Sequence, residues 1–96
     1  MDKNNRIIFA LGGEIDHHKA ADIRYELDEL IMNERPRKLT FDFTNVKFMD
    51  SSGIGLVLGR HRLIANIGGS IEIIGASKNI RRLFQMSGVD KIIDIK

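Results

Sequence analysis

The chain reads as an α/β layer sandwich in a single domain, and three observations predict it. Stretches that alternate apolar and polar residues, as half-buried strands do, recur along the sequence. Between them lie stretches whose apolar residues return at helical spacing. Glycine or proline stands near most changeovers. Amphipathic helices of this kind need a sheet face to cover, which is why the alternation argues for layers. Arg6 to Leu11 is the first predicted strand, with Ile7, Phe9 and Leu11 on one face and Gly12-Gly13 ending it. A helix follows from His17 to Arg35, with Asp16 as N-cap, Ile23, Leu27, Leu30 and Ile31 as its buried stripe, and Pro36 barring extension. Lys38 to Phe43 is the second strand, in which Leu39, Phe41 and Phe43 alternate with Thr40 and Asp42. The next helix starts at Ser51, carries Ile54, Val57, Leu58, His61, Ile64 and Ala65 at helical spacing, and runs to Gly68-Gly69, which suit a cap and turn. Ser70 to Gly75 returns to strand. Ser77 caps a third helix that turns Ile80, Leu83 and Phe84 inward and ends at Gly88, ahead of a short last strand through Ile92, Ile93 and Ile95.

Composition narrows the possible functions. A chain of 96 residues is one domain, residues 1–96, and buries roughly 60 to 70% of the surface its unfolded form exposes. There is no Cys, hence no disulfide frame, thiol nucleophile or cysteine metal site, which fits a reducing cytoplasm. Met1 to Arg6 is polar, so no signal peptide is expected, and no apolar run approaches the roughly 20 residues of a membrane span. Fifteen Lys and Arg against 13 Asp and Glu leave a net charge of +2, with both signs interspersed. A nucleic-acid footprint needs them segregated, and one Tyr with no Trp supplies few stacking platforms. Neither a nucleic acid nor a membrane is therefore expected as a partner.

Catalytic patterns are missing as well. Ser51 follows Met49-Asp50 and lacks the G-x-S-x-G elbow of a serine hydrolase. Gly53, Gly55 and Gly59 are spaced G-x-G-x-x-x-G, which is not the dinucleotide fingerprint; close packing of a helix on the sheet accounts for them better. His17 and His18 are adjacent, so on a helix they diverge by about 100° and cannot by themselves grip one metal. No enzyme activity, metal or cofactor is expected.

What the residues do offer is a switch. Asp50-Ser51-Ser52-Gly53 places two hydroxyls at the predicted start of a helix, directly after a strand. Ser51 reads as the N-cap, a role in which a hydroxyl satisfies one orphan backbone N–H and contributes roughly 1 kcal/mol. The same N–H groups can receive a phosphate. On the residues alone Ser52 competes with Ser51 as the site of modification. Asp50 reads either as an orienting group or as a loop residue. Gly53 and Gly55 either leave room for a partner or pack on the sheet, and Met49 and Ile54 are either an apolar rim or part of the core.

Four blocks, taken in their order and spacing, resemble a known family. They are Gly13-Glu14-Ile15-Asp16-His17-His18, Phe48-Met49-Asp50-Ser51-Ser52-Gly53-Ile54-Gly55, Leu58-Gly59-Arg60 and Arg82-Leu83-Phe84-Gln85-Met86-Ser87-Gly88. Together they are similar to the anti-sigma factor antagonists, small domains of the STAS superfamily, and most of all to the sporulation branch found in Gram-positive spore formers. The resemblance implies a mixed sheet of about four to five strands covered by three to four helices. It implies that Ser51 is phosphorylated by a partner anti-sigma factor that is also a serine kinase, and that a PP2C-type phosphatase reverses this. The unphosphorylated form would release the sporulation sigma factor. Asp16 matches an acidic position that meets a basic residue of the anti-sigma factor; with Met49, Asp50, Ser51, Ser52, Gly53 and Ile54 it makes up the expected partner-binding set. In one respect the chain departs from the pattern: it stops at Lys96, where many relatives continue into another amphipathic helix. Two other readings share the motif, a STAS module of a stress-response partner-switching pathway and a nucleotide-binding STAS domain.

Overall fold

A computed structural model describes residues 4–96; the first three residues of the polar N-terminal stretch lie outside the described part. Strand β1 (Arg6–Ile15) leads through helix α1 (His17–Glu34) to β2 (Lys38–Met49), and α2 (Ser51–Ala65) leads on to β3 (Ser70–Ile74). Helix α3 (Lys78–Ser87) and a single 3-10 turn (Val89–Lys91) then deliver β4 (Asp94–Ile95). The sheet order is β1-β2-β3-β4, and each neighbouring pair is parallel.

The expected mixed sheet is thus a parallel one among the described residues. Each strand returns through a helix that brings the chain back to the same end of the sheet, which makes the next strand parallel. Right-handed crossovers in a sheet whose strand order follows the chain also place the helices on one face. That face is apolar: Leu39, Phe41, Phe43, Ile71 and Ile73 are buried on it. Phe43 meets Phe41 and Phe84 of α3 edge-on, with ring centroids 6.3 and 5.5 Å apart, a geometry aromatic pairs favour. The other face is polar where it is best covered. Thr40 donates to Glu72 Oε2 at 2.7 Å, and Lys96 Nζ lies 2.9 Å from Glu72 Oε1. The Thr40 hydroxyl, followed by the Lys96 ammonium, holds the Glu72 carboxyl below its ordinary value.

Two predicted strand ends are too short, and the difference matters for the site. Gly12-Gly13 does not end β1. The register slips between Ala10 and Gly12 and again between Gly13 and Glu14, with Gly13 at φ +72°, and pairing with β2 resumes to Ile15 opposite Met49. The glycines absorb bulges instead of breaking the strand. β2 likewise continues past Phe43, because β1 keeps pairing with it after β3 has ended. A two-stranded ribbon therefore projects beyond the rest of the sheet and carries the starts of α1 and α2 at its tip.

Smaller differences follow from helix ends. α1 stops at Glu34, and Arg35 takes a left-handed conformation (φ 46°) in which its N–H reaches Ile31 O at 2.8 Å. α2 ends at Ala65, ahead of Gly68, which is left-handed (φ +81°) as the glycine turn requires. Ser77 and Gly88 cap α3 as expected, the hydroxyl accepting from Ile80 N at 3.3 Å. Ile92 and Ile93 both lie outside β4, Ile92 exposed and Ile93 buried.

Candidate functional site at the paired starts of α1 and α2

The ribbon sets two helix starts side by side. Asp50 N donates to Ile15 O at 3.2 Å, so the residues after the last β1/β2 pair enter their helices together. Asp16 and Asp50 adopt almost the same backbone conformation (φ −98°, ψ −171° and φ −97°, ψ −171°), and both cap with a carboxylate. Asp16 Oδ1 accepts from Lys19 N at 2.9 Å, and Asp50 Oδ1 accepts from Ser52 N at 2.8 Å. The Lys19 amide, more than any other group, holds the Asp16 carboxyl below its usual value.

Ser51 is therefore not the N-cap. The Asp50 carboxylate, accepting from Ser52 N, takes that role, and Ser51 becomes the first helical residue, exposed, its hydroxyl not engaged in the cap. Ser52, one position on, is half-buried. The two hydroxyls that the sequence leaves in competition are thus separated by accessibility.

The other members of the predicted set divide in the same way. Asp16 is exposed, and Asp50 and Ile54 are half-buried. Met49 is buried at 6% exposure, directly beneath Gly53, where an added Cβ would come within 2.2 Å of Met49 Cγ and Sδ. Met49 and Gly53 are hence a packed support for the helix start and offer a partner no surface in this state. At Gly55, by contrast, an added Cβ would meet nothing within 4 Å.

Helix α2 also turns a different face inward from the one its spacing suggests. Gly53, Leu56, Val57, Arg60 and Ile64 are buried, whereas Ile54, Leu58 and His61 are half-buried and Ala65 is exposed. The helix is covered on two sides, by the sheet and by α1, so a single apolar stripe under-describes it. Arg60, given no role on sequence grounds, is 9% exposed. The signal was available in the spacing, since Arg60 follows Leu56 by four and Val57 by three. His17, beside Ser52, completes a cleft of about 400 Å³ between α1 and α2. Among the described residues, no three metal-ligating side chains converge and no helix is long and apolar enough to cross a membrane.

Comparison with known proteins agrees with this geometry. The STAS domain family model matches residues 1–96. The chain is 38% identical over 89 residues to the anti-sigma F factor antagonist of Paenibacillus polymyxa, covering 93% of this chain and 76% of that protein. It is 34% identical over 91 residues to the anti-sigma-B factor antagonist of Bacillus subtilis strain 168, covering 95% and 82%. Among solved structures it matches the anti-sigma factor antagonist SpoIIAA in its unphosphorylated form, with a TM-score of 0.87 at 32% identity over 100% of this chain and 84% of that one. The phosphorylated form of SpoIIAA from Bacillus matches with a TM-score of 0.78, again at 32% identity, over 100% and 86%.

Proposed function

The chain belongs to the STAS-domain family of anti-sigma factor antagonists, and on that premise we propose that its unphosphorylated form binds an anti-sigma factor that is also a serine kinase. Binding releases the sigma factor held there, and phosphorylation of Ser51 by the kinase ends the binding until a PP2C-type phosphatase restores the hydroxyl. The chain itself acts without catalysis or cofactor. The observation that carries this reading is the exposed Ser51 at the first position of α2, free of the cap because Asp50 supplies it. Asp16, Asp50, Ser52 and Ile54 surround it at or near the surface and form the contact set for the partner.

Local electrostatics suffices for such a switch. A phosphate adds about −1.5 to −2 charges near neutral pH. At a helix start the free protein gains roughly 0.3 to 1 kcal/mol from it, which the nearby Asp50 carboxylate opposes. In an interface the same group, facing a carboxylate about 6 Å away at an effective dielectric between 20 and 80, costs roughly 1 to 5 kcal/mol. At 1.4 kcal/mol per decade, binding falls by about one to three orders of magnitude. No refolding is needed, in keeping with the match of this chain to both forms of SpoIIAA.

The test is tandem mass spectrometry of the peptide spanning Phe48 to Arg60, before and after incubation with ATP and the anti-sigma kinases encoded in the same genome, F-type and B-type side by side. A single phosphate on Ser51 supports the reading and identifies the kinase. Modification of Ser52 alone would move the site, and no modification by any of them would overturn the switch. Ser51→Ala should stay bound to that kinase in the presence of ATP, and a folded variant that fails to bind would show that the hydroxyl is a contact.

A further inference from the structure

Between α1 and α2, next to the switch, lies a cleft whose walls are unusually open for a packed helix pair. His17 and Arg24 of α1 line one side, and Ser52, Gly55, Gly59 and Arg60 of α2 line the other. A glycine inside a helix is destabilising relative to alanine, and a packing contact normally explains it. Here none does: an added Cβ would meet nothing within 4 Å at either Gly55 or Gly59.

Arg60 supplies a second, independent observation. It is 9% exposed, yet Nε and Nη1 are buried without a hydrogen-bond partner. Asp28 Oδ1 lies 2.9 Å from Nε, but the approach is off the direction a hydrogen bond requires, and that oxygen too is left without one. The Asp28 carboxylate occupies the Nε side, and the five donors of the guanidinium, which match a planar carboxylate or phosphate, are left incompletely used. Arg24 adds positive charge to the lining, offset in part by Asp28, which stands against Arg60 just outside it. Burial, followed by the charge of Arg24, works against the protonated Arg60, with Asp28 as the opposing influence.

We propose that this cleft receives an acidic side chain of the protein partner, its carboxylate reaching Arg60 past the open Gly55 and Gly59 while Arg24 holds the mouth. The inference deepens the partner-binding reading and rests on it for the identity of the occupant. A protein carboxylate is favoured over a free ligand because the cleft is continuous with the exposed helix starts through His17 and Ser52, and no Phe, Tyr or Trp lines it to hold a base.

Nitrogen-15 NMR of the full chain tests the cleft without the partner. Glutarate should shift the Gly55 and Gly59 amides and the Arg60 Nε–H saturably, in the millimolar range, and N-acetyl-lysine amide should not. Gly59→Leu, which fills open space, should melt at or above the wild-type temperature and lose the glutarate response. Arg24→Gln should weaken it at least threefold, and it serves as the test if Gly59→Leu does not fold. Absent or non-saturable shifts, or the same shifts in both variants, overturn the site. Inorganic phosphate binding more than tenfold tighter than glutarate overturns the assigned occupant. With the anti-sigma kinase identified above, the folded variant should bind at least tenfold more weakly than the wild type; equal binding sinks this proposal and leaves the Ser51 switch standing, whereas a wild type that binds no kinase sinks the switch and leaves the glutarate result to be judged alone.

Discussion

The starts of α1 and α2 are built alike and differ in what they expose. Each follows a strand of the same ribbon, each is capped by an aspartate in the same backbone conformation, and each carboxylate accepts from a first-turn amide. Beyond the cap they diverge. α1 continues with His17, His18 and an exposed Lys19, while α2 continues with exposed Ser51, half-buried Ser52 and a buried Gly53 seated on Met49. Capping is common to both, so capping is not what would make one of them the proposed switch. The distinction lies in a free hydroxyl on a start that is held rigidly from beneath.

The sharpest way to break the comparison is charge at position 51. Ser51→Asp should lower affinity for the anti-sigma kinase by about one to three orders of magnitude by calorimetry, with circular dichroism nearly unchanged. His17→Asp, the matched change on α1, should have a smaller effect; an equal loss at both would mean that the whole ribbon tip, and not Ser51, carries the switch. Next in size is the support. Gly53→Val should cost about 1 to 3 kcal/mol in urea denaturation, because Met49 must leave its place, whereas Lys19→Val at the corresponding position should be close to neutral. An unaffected Gly53→Val would mean that Met49 yields freely and that the start of α2 is no more rigid than that of α1.

The cap itself comes third. Asp50→Ala should destabilise by about 1 kcal/mol and Ser51→Ala by much less, an order that reverses if the serine were the cap. The smallest effect is the pH dependence of Asp16. Its carboxyl is held below the ordinary value of 3.8 by the Lys19 amide, so its contribution is present above that pH and fades as pH falls through the lower folded value. Comparing wild type with Asp16→Asn in urea should show the difference between them shrinking below about pH 3.8; a difference that grows on acidification would reverse the assigned sign.

Much of this was legible in one dimension. Asp16, Ser77, Gly88 and Pro36 mark helix ends through chemistry that acts within a turn of the chain, and Leu39, Phe41 and Phe43 declare a strand through alternation. The errors are of another kind. Gly12-Gly13 reads as a strand end because a glycine pair usually is one, but an available partner strand lets a bulge carry the pairing through. Ser51 reads as a cap because the serine and the aspartate before it are both good caps. Which of them serves depends on where β2 ends, and that is decided by its pairing with Ile15. An arginine on a helix is ordinarily solvated, and it is the packing of α1 against α2 that buries Arg60.

The sequence by itself determined the α/β alternation, most of the helix caps, the apolar face of the sheet and the Asp50-Ser51-Ser52-Gly53 block, all of which rest on interactions between residues a few positions apart. The tertiary structure alone decided that the sheet is parallel, that β1 and β2 extend as a ribbon, that Asp50 caps while Ser51 stands exposed, and that Met49 is a floor instead of a rim. Those outcomes follow from where β1 and β2 pair, which rests on contacts between residues more than 30 positions apart, such as Ile15 with Met49, that no local pattern encodes.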